Sequence, residues 1–343
     1  MCRHAFLLIT SVLISLTLLM GCADDSQNTA QEPSGESETT AVADPDAAKI
    51  QEYANPDYIV TAAQARQMLN ERDDILLLDV RRSAQYLLGH IPGAIQIFRG
   101  DYGAAEFGEG GPYPFGGMVA SREEMATLLG QLGATPETLI MTYDASGDYD
   151  AARIWWMLDM YGHKNVTLID GGINAWQDAG FDVNRLGSPD ITPTDYSFPV
   201  AEDRSKYATV EDVEAAIFDE DVVILDTRSM EEVTGESIKS GAYRAGHIPT
   251  SAWVEYKLAI NEDTTFKSAE ELRAMYESIG VTPDKTIIAF CQSGVRSSHT
   301  TFVLSQLLGY ENVMNYDGSW IEWSYDDSLP LEVGLPEARV TLD

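Results

Sequence analysis

Cys291 closes an apolar, β-prone run, Thr286-Ile287-Ile288-Ala289-Phe290, and opens the stretch Gln292-Ser293-Gly294-Val295-Arg296. Helix-like sequence follows. The pattern puts a thiol in a tight strand-to-helix turn. There the N–H groups of residues 292–296 can curl around the sulfur, and Gly294 permits backbone angles that other residues resist. The start of the following helix adds partial positive charge, and Arg296 adds a full one. A free thiol has a pKa of about 8.5, which helix N-termini and nearby cations lower. These residue types therefore suit nucleophilic sulfur chemistry, with Cys291 as the nucleophile and Gln292, Ser293, Gly294, Val295 and Arg296 as its binding collar. The plainer alternative is a buried core thiol; a turn built of glycine and arginine argues against it.

Little else in the sequence competes for that role. The other cysteines, Cys2 and Cys22, lie in an N-terminal targeting segment, so an internal disulfide framework is excluded. No His/Cys cluster has metal-ligand spacing and no cofactor motif appears; neither a metal nor a cofactor is expected. His90 and His247 sit in duplicated turns and read as structural. His299 reads as packing. Trp155, Trp156, Trp176, Trp320 and Trp323 read as core or interface aromatics, and Trp320 is also a candidate pocket wall.

The elements that must position Cys291 occur twice. Leu78-Asp79-Val80-Arg81 answers Leu225-Asp226-Thr227-Arg228, 147 positions later. Gly89-His90-Ile91-Pro92 answers Gly246-His247-Ile248-Pro249, and Gly133-Ala134-Thr135-Pro136 answers Gly280-Val281-Thr282-Pro283. Helix starts repeat as well: Ser121-Arg122-Glu123-Glu124 and Ser268-Ala269-Glu270-Glu271 are capping boxes. Short, nearly continuous apolar runs at 75–78, 139–142, 166–169, 222–225, 286–290 and 313–316 predict buried parallel strands between amphipathic helices. Each copy is expected to be a small α/β domain, a parallel sheet flanked by helices. The division is a first domain at 56–187, a linker at 188–205, a second domain at 206–333 and a C-terminal tail at 334–343.

Residues 1–21 read as a signal peptide, and Leu19-Met20-Gly21-Cys22 resembles a bacterial lipobox, with Cys22 the lipidated residue. An uncleaved anchor or an ordinary secretory signal is the alternative. Acyl chains contribute about 0.8 kcal/mol per buried CH₂, enough for stable anchoring when several are present. Residues 22–55, rich in Ser, Thr, Ala, Glu and Asp, read as a disordered acidic tether. The expectation is a lipid-anchored protein on the periplasmic or extracytoplasmic face of the cell envelope, touching the membrane only through that anchor. A formal net charge of −33 over 343 residues argues against nucleic-acid binding.

Two α/β copies, a Gly-His-Ile-Pro motif in each, the Cys-x-x-Gly-x-Arg turn at Cys291 and the sequence Asn315-Tyr316-Asp317-Gly318-Ser319-Trp320 together resemble a tandem rhodanese of the thiosulfate/3-mercaptopyruvate sulfurtransferase family. The resemblance covers roughly residues 56–333. It implies two rhodanese-like domains, of which the second is catalytic. Cys291 would take a sulfane sulfur from a small-molecule donor, become a persulfide, and pass the sulfur to cyanide or a thiol. It also implies that Arg228 meets the donor anion, for which a planar guanidinium is suited. Against that stands an ion pair with Asp226, since Arg81 occupies the same place in the first copy. That copy has Asp144 where the cysteine would be; a carboxylate cannot carry a sulfane sulfur, and this domain is expected to supply only a wall of the site. The run from Cys291 to Thr300 resembles bacterial thiosulfate enzymes. Arg296 stands where mercaptopyruvate enzymes carry Thr, so thiosulfate is the expected donor and 3-mercaptopyruvate the alternative. A non-catalytic sulfane-sulfur carrier at the envelope, and a phosphatase with a Cys-x₅-Arg loop, are competing readings; only four residues separate Cys291 from Arg296.

Overall fold

The computed structural model describes residues 45–104 and 114–341. The expected signal peptide, the lipidation candidate Cys22 and the tether up to residue 44 lie outside the described residues. The expected tether boundary at 55 is corrected. Residues Pro45–Gln51 form helix α1, and Ile50 and Tyr53 are buried in the core. Two large apolar residues in an otherwise polar stretch are enough to dock it: the Tyr53 hydroxyl donates to Lys267 O, and Ala54 and Asn55 N–H donate to Leu307 O and Gln306 O.

The first domain runs β1 (Ile59–Val60), α2 (Ala62–Glu71), β2 (Ile75–Asp79), α3 (Ser83–Leu88), β3 (Ile95–Gln96), α4 (Arg122–Gln131), β4 (Leu139–Tyr143), α5 (Tyr149–Tyr161), β5 (Val166–Ile169) and α6 (Gly172–Asp178). The second repeats it as β6 (Tyr207–Ala208), α7 (Val210–Ala216), β7 (Val222–Asp226), α8 (Met230–Thr234), β8 (Ala252–Trp253), α9 (Ala269–Glu277), β9 (Thr286–Phe290), α10 (Val295–Phe302), β10 (Val313–Tyr316) and α11 (Ser319–Tyr325). Both sheets are parallel and five-stranded, in the orders β1-β5-β4-β2-β3 and β6-β10-β9-β7-β8. The six apolar runs are the central strands. The two-residue edge strands were not expected; they are too short to show a pattern. The capping boxes at Ser121 and Ser268 form, each hydroxyl accepting from the third N–H of its helix.

In each sheet the chain leaves one central strand toward one edge and its neighbour toward the other. That change of direction opens a crevice at the carboxyl ends of β2 and β4, and of β7 and β9, where ligands of open α/β sheets bind. Cys291 follows β9 and so sits at the second crevice. The strands are covered on both faces. Ile140 and Ile287 face a core shared by both domains, whereas Met141 and Phe290 face separate cores beneath each sheet. The helices that follow the two crevice loops, α5 and α10, pack on each other in the shared core, with Trp155 edge-on to Phe302 at 5.0 Å between centroids.

The domains also exchange matched polar contacts. Asp317 in the second domain accepts from Val119 N–H at 3.0 Å and pairs with buried Arg153. Asp170, its counterpart in the first, accepts from Phe266 N–H at 2.8 Å and pairs with Lys49 at 2.8 Å. Phe266 is Val119 moved by the repeat interval of 147 positions. Each buried carboxylate is satisfied only if both domains are in place, as burial of charge demands. Among the described residues no helix is long and apolar enough to cross a membrane.

Candidate active site

Strand β9 delivers Cys291 to the floor of a cavity of about 240 Å³, where it is 1% exposed. The turn is set by Gly294, whose φ of 73° starts α10 in the left-handed region. A Cβ there would stand 2.6 Å from Asp317 Oδ1 and 2.7 Å from Arg153 Nη1, so only glycine fits. The turn is also tied from below. Ser319 Oγ accepts from Cys291 N–H at 3.1 Å and from Gly294 N–H at 3.0 Å, and donates to Tyr316 O at 2.7 Å. Ser319 itself holds a φ of 51°, unusual for a residue with a Cβ. The Gly294 carbonyl accepts from Arg153 and Asn315.

The collar therefore differs from the expected run of N–H groups at 292–296. Gly294 N–H is occupied by Ser319, and the groups that turn to the sulfur are the N–H of Ser293, the N–H of Ser297 and the Ser297 hydroxyl, 3.6 Å from Sγ. Burial pushes the Cys291 thiol up. The Arg296 charge and those hydrogen bonds outweigh it, and the net direction is down. Ser297 had no signal of its own in the sequence, because a serine in the first turn of a helix usually serves the backbone.

Arg296 lines the cavity, as do Gln292, Ser293 and Val295. Its guanidinium is fixed by a bidentate pair with Glu232 at 2.7 and 2.9 Å. Burial raises the Glu232 carboxyl, yet Arg296 and Lys239 hold it down at about 2. Glu232 is thus a permanent counter-charge that aims Arg296. Its counterpart in the first copy is the neutral Gln85.

Two expectations are corrected. Arg228 does not line the cavity. It is 1% exposed, bonded to Asp226 and, through Nη2 at 2.8 Å, to Gly246 O, and it stacks on Trp320. Arg81 makes the same bonds to Asp79 and Gly89 O. Both pairs tie a strand end to the Gly-His-Ile-Pro turn, which accounts for the duplication of Asp-x-Arg with that motif. Trp320 is likewise a core residue, its Nε1–H donating to Arg244 O. His90 and His247 bond through Nδ1 to the Tyr86 and Val233 carbonyls, and His299 stacks on Phe266 at 5.0 Å, its burial pushing its pKa down to about 3.

The rest of the cavity was not legible beforehand. Lys239 comes from a loop of the second domain and Lys257 from the 3-10 turn Tyr256–Ala259, with about half or more of each side chain exposed. Arg99 and Tyr149 come from the first domain. Tyr149 meets Tyr256 edge-on at 5.4 Å, closing one wall across the domain boundary. Arg99 is held by Asp150 at 2.7 and 3.0 Å. Four cations and one carboxylate, Glu255, thus line a space sized for a small anion. Among the described residues no three His, Cys, Asp or Glu side chains converge as metal ligands.

The same loop in the first domain holds Asp144. Its carboxylate accepts N–H bonds from Ser146 at 2.6 Å, Asp148 at 3.0 Å and Asp150 at 2.9 Å. Ser146 and Asp150 are the counterparts of Ser293 and Ser297. The turn after the fourth strand is an anion cradle in both copies, filled by a carboxylate in one and by a thiol in the other.

The rhodanese-like domain model matches residues 61–179 and 209–326. The "Sulfur carrier protein TtuD" of Thermus thermophilus is 36% identical over 82% of this chain and 99% of its own length. A "Putative thiosulfate sulfurtransferase" of Saccharopolyspora erythraea is 35% identical over 80% of this chain and 95% of its own. Of solved structures, YnjE superposes with a TM-score of 0.72 at 25% identity, covering 82% of this chain and 70% of that one. EanB, in complex with ergothioneine, superposes at 0.73 with 22% identity over 82% and 71%, a likeness of fold alone. The chain belongs to the rhodanese-like family, as two such domains in tandem, among relatives named for sulfur transfer.

Proposed function

We propose that the protein is a thiosulfate sulfurtransferase that works through a Cys291 persulfide. The carrying observation is the lowered thiol of Cys291 at the floor of a cation-lined cavity. The Cys291 thiolate attacks the sulfane sulfur of thiosulfate, a new S–S bond forms, and the donor's S–S bond breaks with its electron pair leaving on sulfite. The amides and hydroxyl that face Sγ then hold the persulfide anion. Cyanide or a thiolate attacks the outer sulfur, and Cys291 departs again as thiolate. Lys239, Lys257 and Arg296 supply the charge that draws a dianionic donor to a protein of net charge −33. Arg228, being buried and paired, takes no part in donor binding.

The test is steady-state kinetics with thiosulfate and 3-mercaptopyruvate in parallel, cyanide being the acceptor. Thiosulfate should give the higher kcat/KM, and the Lys239→Met, Lys257→Met double variant should raise its KM about tenfold. Preference for 3-mercaptopyruvate would replace the donor assignment. The kinship with TtuD supports a second reading, a sulfane-sulfur carrier. Loading of one equivalent with no turnover to thiocyanate would favour it.

We also propose that Cys22 is the lipidated residue that holds the protein at the cell envelope. The lipobox-like sequence supports this. Incorporation of labelled palmitate that is lost in Cys22→Ser would bear it out; equal labelling of both would refute it.

A further inference from the structure

One group lining the Cys291 cavity has no part in the donor step. Glu255 is the single carboxylate among the described lining residues, in the company of four cations. The fold puts it there. Val254 N–H donates to Asp226 O and Tyr256 N–H to Thr227 O, while Thr227 N–H donates to Phe290 O. Strands β8 and β9 thus flank β7, and the Glu255 backbone stands two strand spacings, about 10 Å, from that of Cys291. A glutamate side chain, an acceptor sulfur and the outer sulfur of a persulfide are together long enough to span that gap. The carboxylate is not committed elsewhere. It stands at the N-cap of the Tyr256–Ala259 turn without capping it. Its ion-pair partner, Lys257, is 3.8 Å away, beyond hydrogen-bond reach. The repeat adds a second observation. Ile97 N–H donates to Asp79 O as Val254 N–H does to Asp226 O, which makes Phe98 the counterpart of Glu255. The copy without a thiol has a hydrocarbon where the copy with one has a carboxyl.

The two half-reactions differ by a proton. Thiosulfate brings none to Cys291. An organic thiol, with a pKa of about 8.5, arrives near neutrality with its proton on, and only its thiolate is a strong nucleophile. That proton needs a base. The four cations cannot take it, and burial pushes the Tyr149 and Tyr256 hydroxyls up, so they already hold their own. Burial also raises the Glu255 carboxyl; Lys257 and Arg296 draw it back, Glu231 and Glu232 push it further, and the net direction is up. A raised carboxyl is the stronger base once ionised. We propose that Glu255 is the general base of the acceptor half-reaction, taking the proton of an incoming organic thiol as its sulfur attacks the Cys291 persulfide. In that step the thiol S–H bond breaks toward the Glu255 carboxylate and the acceptor sulfur bonds to the outer sulfur. The persulfide S–S bond breaks, and its electron pair returns to Cys291 Sγ. The product leaves as an alkyl persulfide, Glu255 passes its proton to water, and no oxidant or reductant is consumed. The proposal rests on Cys291 carrying a persulfide.

The experiment loads the full chain and its Glu255→Gln variant with thiosulfate, removes the excess, and measures second-order discharge by 2-mercaptoethanol and by sulfite as a function of pH. The sulfite dianion attacks through a lone pair and has no proton to lose. Glu255→Gln should lower the thiol rate near neutrality about a hundredfold. It should leave the sulfite rate unchanged or raised, since one negative charge is gone from the path of an anion. The ratio of the two rates does not depend on how much of the variant is folded. The pH profile supplies a readout that a merely structural role would not move. Wild-type discharge to the thiol should stay level with pH below the thiol's own pKa, where Glu255 is ionised. In the variant it should climb about tenfold per pH unit, following the thiolate fraction. A thiol-to-sulfite ratio unchanged in Glu255→Gln, or parallel pH profiles, overturns the base. Failure of the wild type to load, or to discharge to sulfite, would instead strike the persulfide reading, so the two are separable.

Discussion

Two turns with the same backbone task end in opposite chemistry. At Asp144 three N–H groups point at a carboxylate; at Cys291 two of the corresponding N–H groups point at a sulfur. What separates them is the next turn of chain. Arg296 stands where the first copy has Tyr149, and Ser297 where it has Asp150. The first copy therefore surrounds its anion with more acid: burial and Asp150 push Asp144 up to about 6. The second surrounds its sulfur with a cation and a hydroxyl, and the thiol moves down. An amide cradle by itself is neutral ground. The side chains on the first helical turn decide whether it holds a reactive anion or an inert one.

The widest separation of the two turns is expected on removing each anion. Cys291→Ala should abolish thiocyanate formation and the 32-dalton mass gain after thiosulfate treatment, whereas Asp144→Ala should keep kcat within about twofold; equal losses would erase the distinction. Moving the thiol is the sharper test. In Asp144→Cys combined with Cys291→Ala, the new cysteine should neither load sulfur nor alkylate quickly at neutral pH, since Tyr149 and Asp150 face it; loading there would show that the cradle alone is sufficient. Arg296→Gln should lower kcat/KM for thiosulfate about a hundredfold and shift the alkylation profile of Cys291 to higher pH. Ser297→Ala should do the same in smaller measure, about tenfold, for one hydrogen bond to a charged sulfur.

The smallest effect concerns stability. An unfolded aspartate has a pKa of about 3.9, and folded Asp144 keeps its proton up to about 6. Between those values the folded state binds more protons, so this group's contribution falls as pH rises through the window. Denaturation of Asp144→Asn against wild type should therefore shift in the variant's favour from about pH 4 to pH 6. A gap that stays constant would mean Asp144 titrates as it does in the unfolded chain.

Much of this architecture is written in local sequence. The repeat, the six central strands, the paired capping boxes and Cys291 are all carried by local patterns: apolar runs, Ser-x-x-Glu spacing, a cysteine beside glycine. What escaped reading was set by tertiary placement. Asp-x-Arg looks the same whether its guanidinium faces a ligand or the Gly246 carbonyl, and only the fold decides for Arg228. Lys239 and Arg99 lie in irregular segments and Lys257 in a short 3-10 turn, all far from Cys291 in sequence, so no spacing connects them to it. Ser319 hides in a motif whose first-copy counterpart is Gly172. Its positive φ is inherited from that glycine's position, while its hydroxyl is what ties down the turn that carries Cys291.

The second cradle lowers the pKa of the thiol it holds, with the Arg296 charge and the Ser297 and Ser293 hydrogen bonds outweighing burial. The most direct measurement is the rate of iodoacetamide alkylation of Cys291 as a function of pH, followed on the Cys291 peptide of the full chain. The midpoint should lie clearly below that of a free thiol, about 8.5, and move upward in Arg296→Gln. A midpoint at or above the free value, unmoved by that substitution, would contradict it.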